Sequence, residues 1–253
     1  MHDFRIKICG ITRAEDALAA VAAGADAIGL NLSSTSKRRV SATQAEAIVA
    51  QIRQVAPAVR CVGVFVEQSP AESEALAEQI GLDVIQLHGD HDTTVMARKW
   101  SRPVLWVTRV PVSAGPEMAG RLSTIAAEVL ENLHRTLGKA GSANSGGLAG
   151  ILVDAYAAGD YGGTGKTVAW EPLGQRDQWE KIGWAPRPWP TDLPLVLAGG
   201  LTAENVASAI QQARPSGVDV ASGVEIQPGV KSAERMQAFI ANARQAMRST
   251  RAT

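Results

Sequence analysis

Four side chains of this 253-residue sequence are of the kind that move protons, and each lies in or at the end of a short apolar run. Cys9 closes Ile6-Lys7-Ile8-Cys9, and His88 closes Val84-Ile85-Gln86-Leu87-His88. Asp154 closes Ile151-Leu152-Val153-Asp154, and Asp219 sits within Gly217-Val218-Asp219-Val220. Strands that end in these residues could deliver a thiol, an imidazole and two carboxylates to one place. Two glycine-bearing segments, Gly199-Gly200-Leu201-Thr202 and Ala221-Ser222-Gly223-Val224, each follow an apolar run and lead towards a helix. Bare backbone N–H groups at such a place read as a phosphate cradle. The arginine fork of Arg38, in Ser36-Lys37-Arg38-Arg39, suits a phosphate or a carboxylate. Together these residues place ionisable groups near a candidate phosphate site, and a small anionic ligand is open to them.

Such groups cooperate only if the fold brings several strand ends to one mouth. Apolar runs predict strands near Arg5–Cys9, Ala27–Asn31, Cys61–Val66, Val84–His88, Val104–Thr108, Ile151–Asp154, Leu195–Ala198 and Val218–Ala221. Helices are expected near Ala14–Ala23, Ala42–Val55, Pro70–Ile80, Thr93–Trp100, Met118–Leu137, Trp170–Ile182, Ala203–Ala213 and Ala233–Met247. Ser41 or Thr43, Ser69-Pro70 and Thr202 supply capping chemistry at three of them. Strict alternation of eight strand–helix units implies a parallel sheet closed into an α/β (β/α)₈ TIM barrel. An open doubly wound sheet is the alternative, but it gives no reason for glycine loops after the last two strands. The chain reads as a single barrel over 1–253, with lengthened segments near 118–149 and 179–193.

Side chains alternate across a strand, and the face beneath the helices must be apolar. Phe4, Ile6 and Ile8 then point outward and Lys7 and Cys9 inward; Ile85 and Leu87 outward, Gln86 and His88 inward. Ile151 and Val153 lie outward with Asp154 inward, and Val218 and Val220 outward with Asp219 inward. Barrel active sites occupy the carboxyl ends of the strands, so these groups share a mouth. Plainer roles are open to each. Cys61, at the start of its strand, reads as a small core hydrophobe. Cys9 is followed by Gly10 at the mouth, where Lys7 could lower its pKa and help supply thiolate. His88 could be a structural imidazole, and Asp154 could cap a loop.

Charge and composition narrow the function classes. Lys plus Arg equals Asp plus Glu at 25 each, so no whole-chain field recruits nucleic acid or a membrane surface. The two cysteines form neither a disulfide framework nor a metal spacing. The amino terminus lacks a signal peptide's apolar core, and a cytoplasmic enzyme or binding protein is expected. Gly162-Gly163-Thr164-Gly165-Lys166-Thr167 looks like a nucleotide loop, but Asp160 stands where that pattern needs its first glycine. A mobile lid over the mouth fits it better.

Lys7-Ile8-Cys9-Gly10-Ile11-Thr12, Ser36-Lys37-Arg38, Gly63-Val64-Phe65-Val66, Gln86-Leu87-His88-Gly89, Leu197-Ala198-Gly199-Gly200-Leu201 and Val218-Asp219-Val220-Ala221-Ser222-Gly223-Val224-Glu225 resemble the phosphoribosylanthranilate isomerase family of tryptophan biosynthesis. The resemblance is collinear over nearly the whole chain. It implies a (β/α)₈ barrel that carries out an Amadori rearrangement without metal or organic cofactor. Carried onto this sequence, Cys9 would be the general base and Asp154 the general acid. Arg38 and Asp219 would orient the anthranilate part, and His88 would line the pocket. Gly199, Gly200, Ser222 and Gly223 would hold the phosphate of a small phosphosugar substrate. The resemblance implies neither a nucleic-acid nor a membrane partner, and a monomer or homodimer. Arg39 stands where the family often has an aromatic residue. Another phosphosugar barrel enzyme, or a non-catalytic barrel that binds a phosphorylated ligand, is the competing reading.

Overall fold

Period-two alternation of β-branched and small residues builds two separate apolar layers from the same strands. The computed structural model describes residues 5–89, 95, 100–111, 120, 122–124, 147–156, 170–177, 181 and 193–250. Its strands are β1 (Ile6–Cys9), β2 (Ala27–Asn31), β3 (Arg60–Phe65), β4 (Val84–Leu87), β5 (Val104–Pro111), β6 (Leu148–Tyr156), β7 (Leu195–Ala198) and β8 (Gly217–Val220). They pair in parallel, each with the next, and β8 pairs with β1 to close the barrel. Ile6, Ile8, Ile85, Leu87, Ile151, Val153, Val218 and Val220 belong to the outer layer packed beneath the helices. Ala27, Val62, Val84, Leu105, Val107, Leu152 and Val196 fill the barrel interior as a second cluster. Among the described residues these outward assignments hold, that of Phe4 lies outside them, and the doubly wound alternative falls to the β8–β1 pairing.

Helices α1 (Ala14–Ala23), α2 (Ala42–Val55) and α3 (Pro70–Ile80) have the expected bounds. Ser41 with Gln44 and Ser69 with Glu72 close capping boxes, which satisfy two otherwise orphaned N–H groups apiece. Helix α6 (Ala233–Ser249) closes the chain against α1. Three expectations need correction. The helix foreseen over Trp170–Ile182 is the single turn α4 (Glu171–Gly174), followed by a turn. The Leu173 carbonyl is taken by the Arg176 guanidinium instead of an N–H further on, and Arg176 also reaches Ala213 and Arg214 carbonyls. The helix foreseen from Ala203 starts as α5 (Val206–Ala213), and Thr202 does not cap it. Asn205 instead bonds the Thr202 N–H and the Gly200 carbonyl, bracing the loop. Lastly, β5 and β6 run past Thr108 and Asp154, because their parallel pairing continues to Pro111 and Tyr156.

Beyond β8, Ser222–Val224 forms a 3₁₀ turn, and β9 (Glu225–Gln227) pairs antiparallel with β10 (Val230–Lys231). Most of the expected helices near Thr93–Trp100 and Met118–Leu137, the proposed lid, and most of the two lengthened segments lie outside the described residues. Among the described residues, no helix is long and apolar enough to cross a membrane.

Candidate active site

The first strand supplies two polar groups to the barrel axis, and Gly29 makes room for both. A Cβ on Gly29 would lie 2.7 Å from the Cys9 sulfur and 3.0 Å from Lys7 Nζ. Lys7 is fully buried and donates to Asp219 Oδ1 at 2.9 Å, a pair that joins β1 to β8. Burial works against its charge, but Asp219 and Cys9 outweigh burial and hold the ammonium above its ordinary pKa. Lys7 is thus a cation committed to Asp219. Cys9, at 9% exposure, is pushed up by burial first and by Asp219 second, against the smaller downward pull of Lys7 and Lys231. Lys7 does pull the thiol down, as expected, but burial and Asp219 leave it above its ordinary value. Asp219 works against Lys7 here. Cys61 behaves as expected: it faces the outer core, and burial raises it to about 11.

Asp154 lies across from this pair. Burial and the nearby Asp219 raise its carboxyl to about 6, opposed by Arg109 and Lys7. Cys9 and Asp154 both respond to Lys7 and Asp219, so the thiol and the carboxyl lie within electrostatic reach of one ion pair. His88 Nε2 stands 3.8 Å from Asp154 Oδ2, an ion pair when the imidazole is protonated and too long for a hydrogen bond. Arg109 is a residue that sequence reading missed. It follows the point at which the apolar pattern of β5 stops, yet it pairs in register with Asp154. The signal was present in the alternation, since Leu105 and Val107 face inward and Arg109 continues their face.

Arg38 lies over Gly10, where a Cβ would come 2.4 Å from the arginine Cδ. Gly10 has φ +71, so its bareness serves both the turn and this close approach. The guanidinium grips Glu225 with two bonds of 2.7 Å, Nε to Oε1 and Nη2 to Oε2. That clamp was not foreseen, nor was Lys231, whose Nζ donates to Glu225 Oε1 at 2.9 Å. Arg39 is exposed and its backbone bridges to Asn31.

The two glycine segments come together as one structure. Gly199 and Gly200 take φ +84 and +66, a left-handed pair that turns the chain out of β7. Gly223 lies so close to the Leu201 carbonyl oxygen that a Cβ would be 1.9 Å from it. The loop after β7 and the turn after β8, which carries Ser222, are therefore in backbone contact. Among the described residues, no group of three or more His, Cys, Asp or Glu is arranged to hold a metal ion.

An eight-stranded closed barrel whose ionisable groups and glycine loops converge at the carboxyl ends of its strands defines a (β/α)₈-barrel protein with an enzyme-like mouth. The family model for N-(5'-phosphoribosyl)anthranilate isomerase matches residues 6–242, and the chain belongs to that family. It is 40% identical over 242 residues to an N-(5'-phosphoribosyl)anthranilate isomerase of Pseudomonas aeruginosa, covering 95% of each chain. The crystal structure of phosphoribosyl anthranilate isomerase from Thermotoga maritima superposes with a TM-score of 0.69 at 32% identity, over 96% of this chain and 99% of that one. A phosphoribosyl anthranilate isomerase in complex with reduced 1-(o-carboxyphenylamino)-1-deoxyribulose 5-phosphate matches with a TM-score of 0.63 at 31% identity, over 96% and 99% of the two chains.

Proposed function

We propose that this protein converts N-(5'-phosphoribosyl)anthranilate into 1-(o-carboxyphenylamino)-1-deoxyribulose 5-phosphate, an isomerisation of tryptophan biosynthesis, with Asp154 as acid and Cys9 as base. The observation that supports these roles most directly is the raised Asp154 carboxyl, at about 6, sharing the Lys7–Asp219 pair with the Cys9 thiol. A carboxyl so placed keeps a proton available near neutral pH. It donates that proton to the ribose ring oxygen while the bond from that oxygen to the anomeric carbon breaks. The lone pair of the anthranilate nitrogen fills the gap and forms an iminium ion. Positive charge on the iminium acidifies the adjacent sugar carbon, and the Cys9 thiolate removes its proton. The electrons of that C–H bond become the carbon–carbon double bond of an enolamine. Loss of the enol proton and protonation of the former anomeric carbon give the ketose.

Free Cys9 lies above the ordinary thiol range and Asp154 at about 6. The form with a thiolate and a protonated carboxyl is then minor until substrate binds. The developing iminium beside Cys9 is what favours the thiolate, since a nearby cation stabilises the charged form. Ground-state anchoring falls to other groups: Arg38 takes the anthranilate carboxylate, His88 lines the pocket, and Asp219 orients the substrate's anthranilate portion while tied to Lys7. Gly199, Gly200, Ser222 and Gly223 hold the phosphate, whose grip serves mainly to orient the sugar.

The test is consumption of phosphoribosylanthranilate, followed by its fluorescence, with the purified protein and two variants. Cys9→Ala and Asp154→Ala should each lose about 10²–10⁴-fold in turnover while still binding the reduced product analogue. Undiminished turnover in either variant refutes the role assigned to that residue.

A further inference from the structure

A guanidinium carries five N–H donors, and Glu225 uses only those on one side of Arg38. Its carboxylate takes Nε and Nη2, each at 2.7 Å. The end of the guanidinium, with Nη1 and the second N–H of Nη2, has no partner among the described residues. That edge is itself a two-pronged fork of the geometry that carboxylates accept. Arg38 can therefore hold Glu225 and a ligand carboxylate at once.

Glu225 is fixed in turn. Its Oε1 accepts from Lys231 Nζ at 2.9 Å and from the Gly229 N–H at 3.2 Å. Lys231 Nζ also donates to the Ala221 carbonyl at 2.9 Å, directly before Ser222. The Lys231 backbone N–H donates to Asp16 at 3.1 Å, and Arg13, directly before α1, clamps Asp16. Both side chains are almost wholly buried, at 0% exposure for Lys231 and 5% for Glu225. The charges matter as much as the geometry. Arg38 and Glu225 alone would be neutral, and an approaching carboxylate would meet the glutamate's negative charge. Lys231 cancels that charge, so the three groups together keep one positive charge for the ligand.

We infer that Glu225 and Lys231 are positioning residues for carboxylate recognition: Glu225 aims the open edge of Arg38 into the mouth, and Lys231 keeps the cluster cationic. This rests on the reading of Arg38 as the group that takes the anthranilate carboxylate. The closing experiment separates the two. Two probes are used: reduced 1-(o-carboxyphenylamino)-1-deoxyribulose 5-phosphate, and the same compound with an unsubstituted phenyl ring. Dissociation constants are measured by calorimetry for the unaltered chain, Arg38→Ala, Glu225→Gln, Lys231→Met and the Arg38→Ala/Glu225→Gln double variant. Glu225→Gln and Lys231→Met should each weaken the carboxyl-bearing probe about 10- to 100-fold, as expected for a lost charged hydrogen bond. The probe without the carboxyl should be held as before, and Glu225→Gln should cost nothing further once Arg38 is gone. If Arg38→Ala keeps the preference for the carboxyl-bearing probe, the Arg38 reading itself fails. If Arg38→Ala loses it while Glu225→Gln and Lys231→Met retain it, the positioning role alone is overturned. Equal weakening of both probes, or failure of both single variants to fold by circular dichroism, assigns these residues a purely structural role and likewise overturns it.

Discussion

Asp154→Asn should make the protein both more stable and less active, and the size of the gain follows from one carboxyl. The folded-state pKa of Asp154 is about 6 against an ordinary value of 3.8. Between those values the folded chain binds more protons than the unfolded chain, so stability falls as pH rises through that window and the full penalty stands above it. The separation of about two units corresponds to about 3 kcal/mol at 1.36 kcal/mol per unit. Asparagine has the shape of the protonated carboxyl and cannot ionise, so it escapes the penalty. Denaturant unfolding should therefore show the variant more stable by about 3 kcal/mol at pH 7, shrinking to about 1 kcal/mol at pH 4.5. Turnover should fall by about 10²–10⁴-fold in the same variant, because the proton donor is gone. A variant no more stable than the parent at pH 7, or a gain that is the same at both pH values, refutes the account of Asp154 as a carboxyl whose ionisation is penalised by burial.

Two further substitutions probe the frame around that carboxyl. Asp219→Asn leaves Lys7 fully buried without its counter-charge, and loss of one partner of such a pair should cost about 3–5 kcal/mol in denaturant unfolding. A loss below about 1 kcal/mol, the range of exposed pairs, would mean the Lys7–Asp219 bond does not carry the barrel's centre. Gly223→Ala puts a methyl 1.9 Å from the Leu201 carbonyl, where backbone on both sides must move. It should destabilise by about 1–3 kcal/mol and weaken competitive inhibition by inorganic phosphate. Unchanged inhibition would separate these two loops from phosphate binding.

The cluster at the mouth shows how one ion pair serves two opposed groups. Asp219 raises both the Cys9 thiol and the Asp154 carboxyl, while Lys7 pulls both down. Burial is the largest cause in each case and shifts both groups towards their neutral forms. That suits the proposed role of Asp154 as proton donor. Under the proposed mechanism it leaves Cys9 dependent on charge that the reacting ligand brings, which would couple its basicity to the first step of the rearrangement.

What could be read from the chain alone was whatever depends on local periodicity. Alternation in Ile6-Lys7-Ile8-Cys9 and Gly217-Val218-Asp219-Val220 assigned Lys7, Cys9 and Asp219 to the barrel axis, because a strand beneath helices must keep one face apolar. Helix bounds at α1, α2 and α3 followed from apolar spacing and capping residues within a few positions. Only the closed barrel decided who neutralises whom. Lys7 and Asp219 are 212 residues apart in sequence, and no local pattern says that the lysine answers the aspartate before the thiol. Arg38 and Glu225 are separated by 187 residues, and their clamp arises where the loop after β2 crosses the ribbon after β8. Arg109 escaped notice because β5 outruns its apolar stretch, held by pairing with β6 instead of by its own composition. Periodicity is written residue by residue, whereas charge acts through space, and closing the barrel is what places those charges within reach of one another.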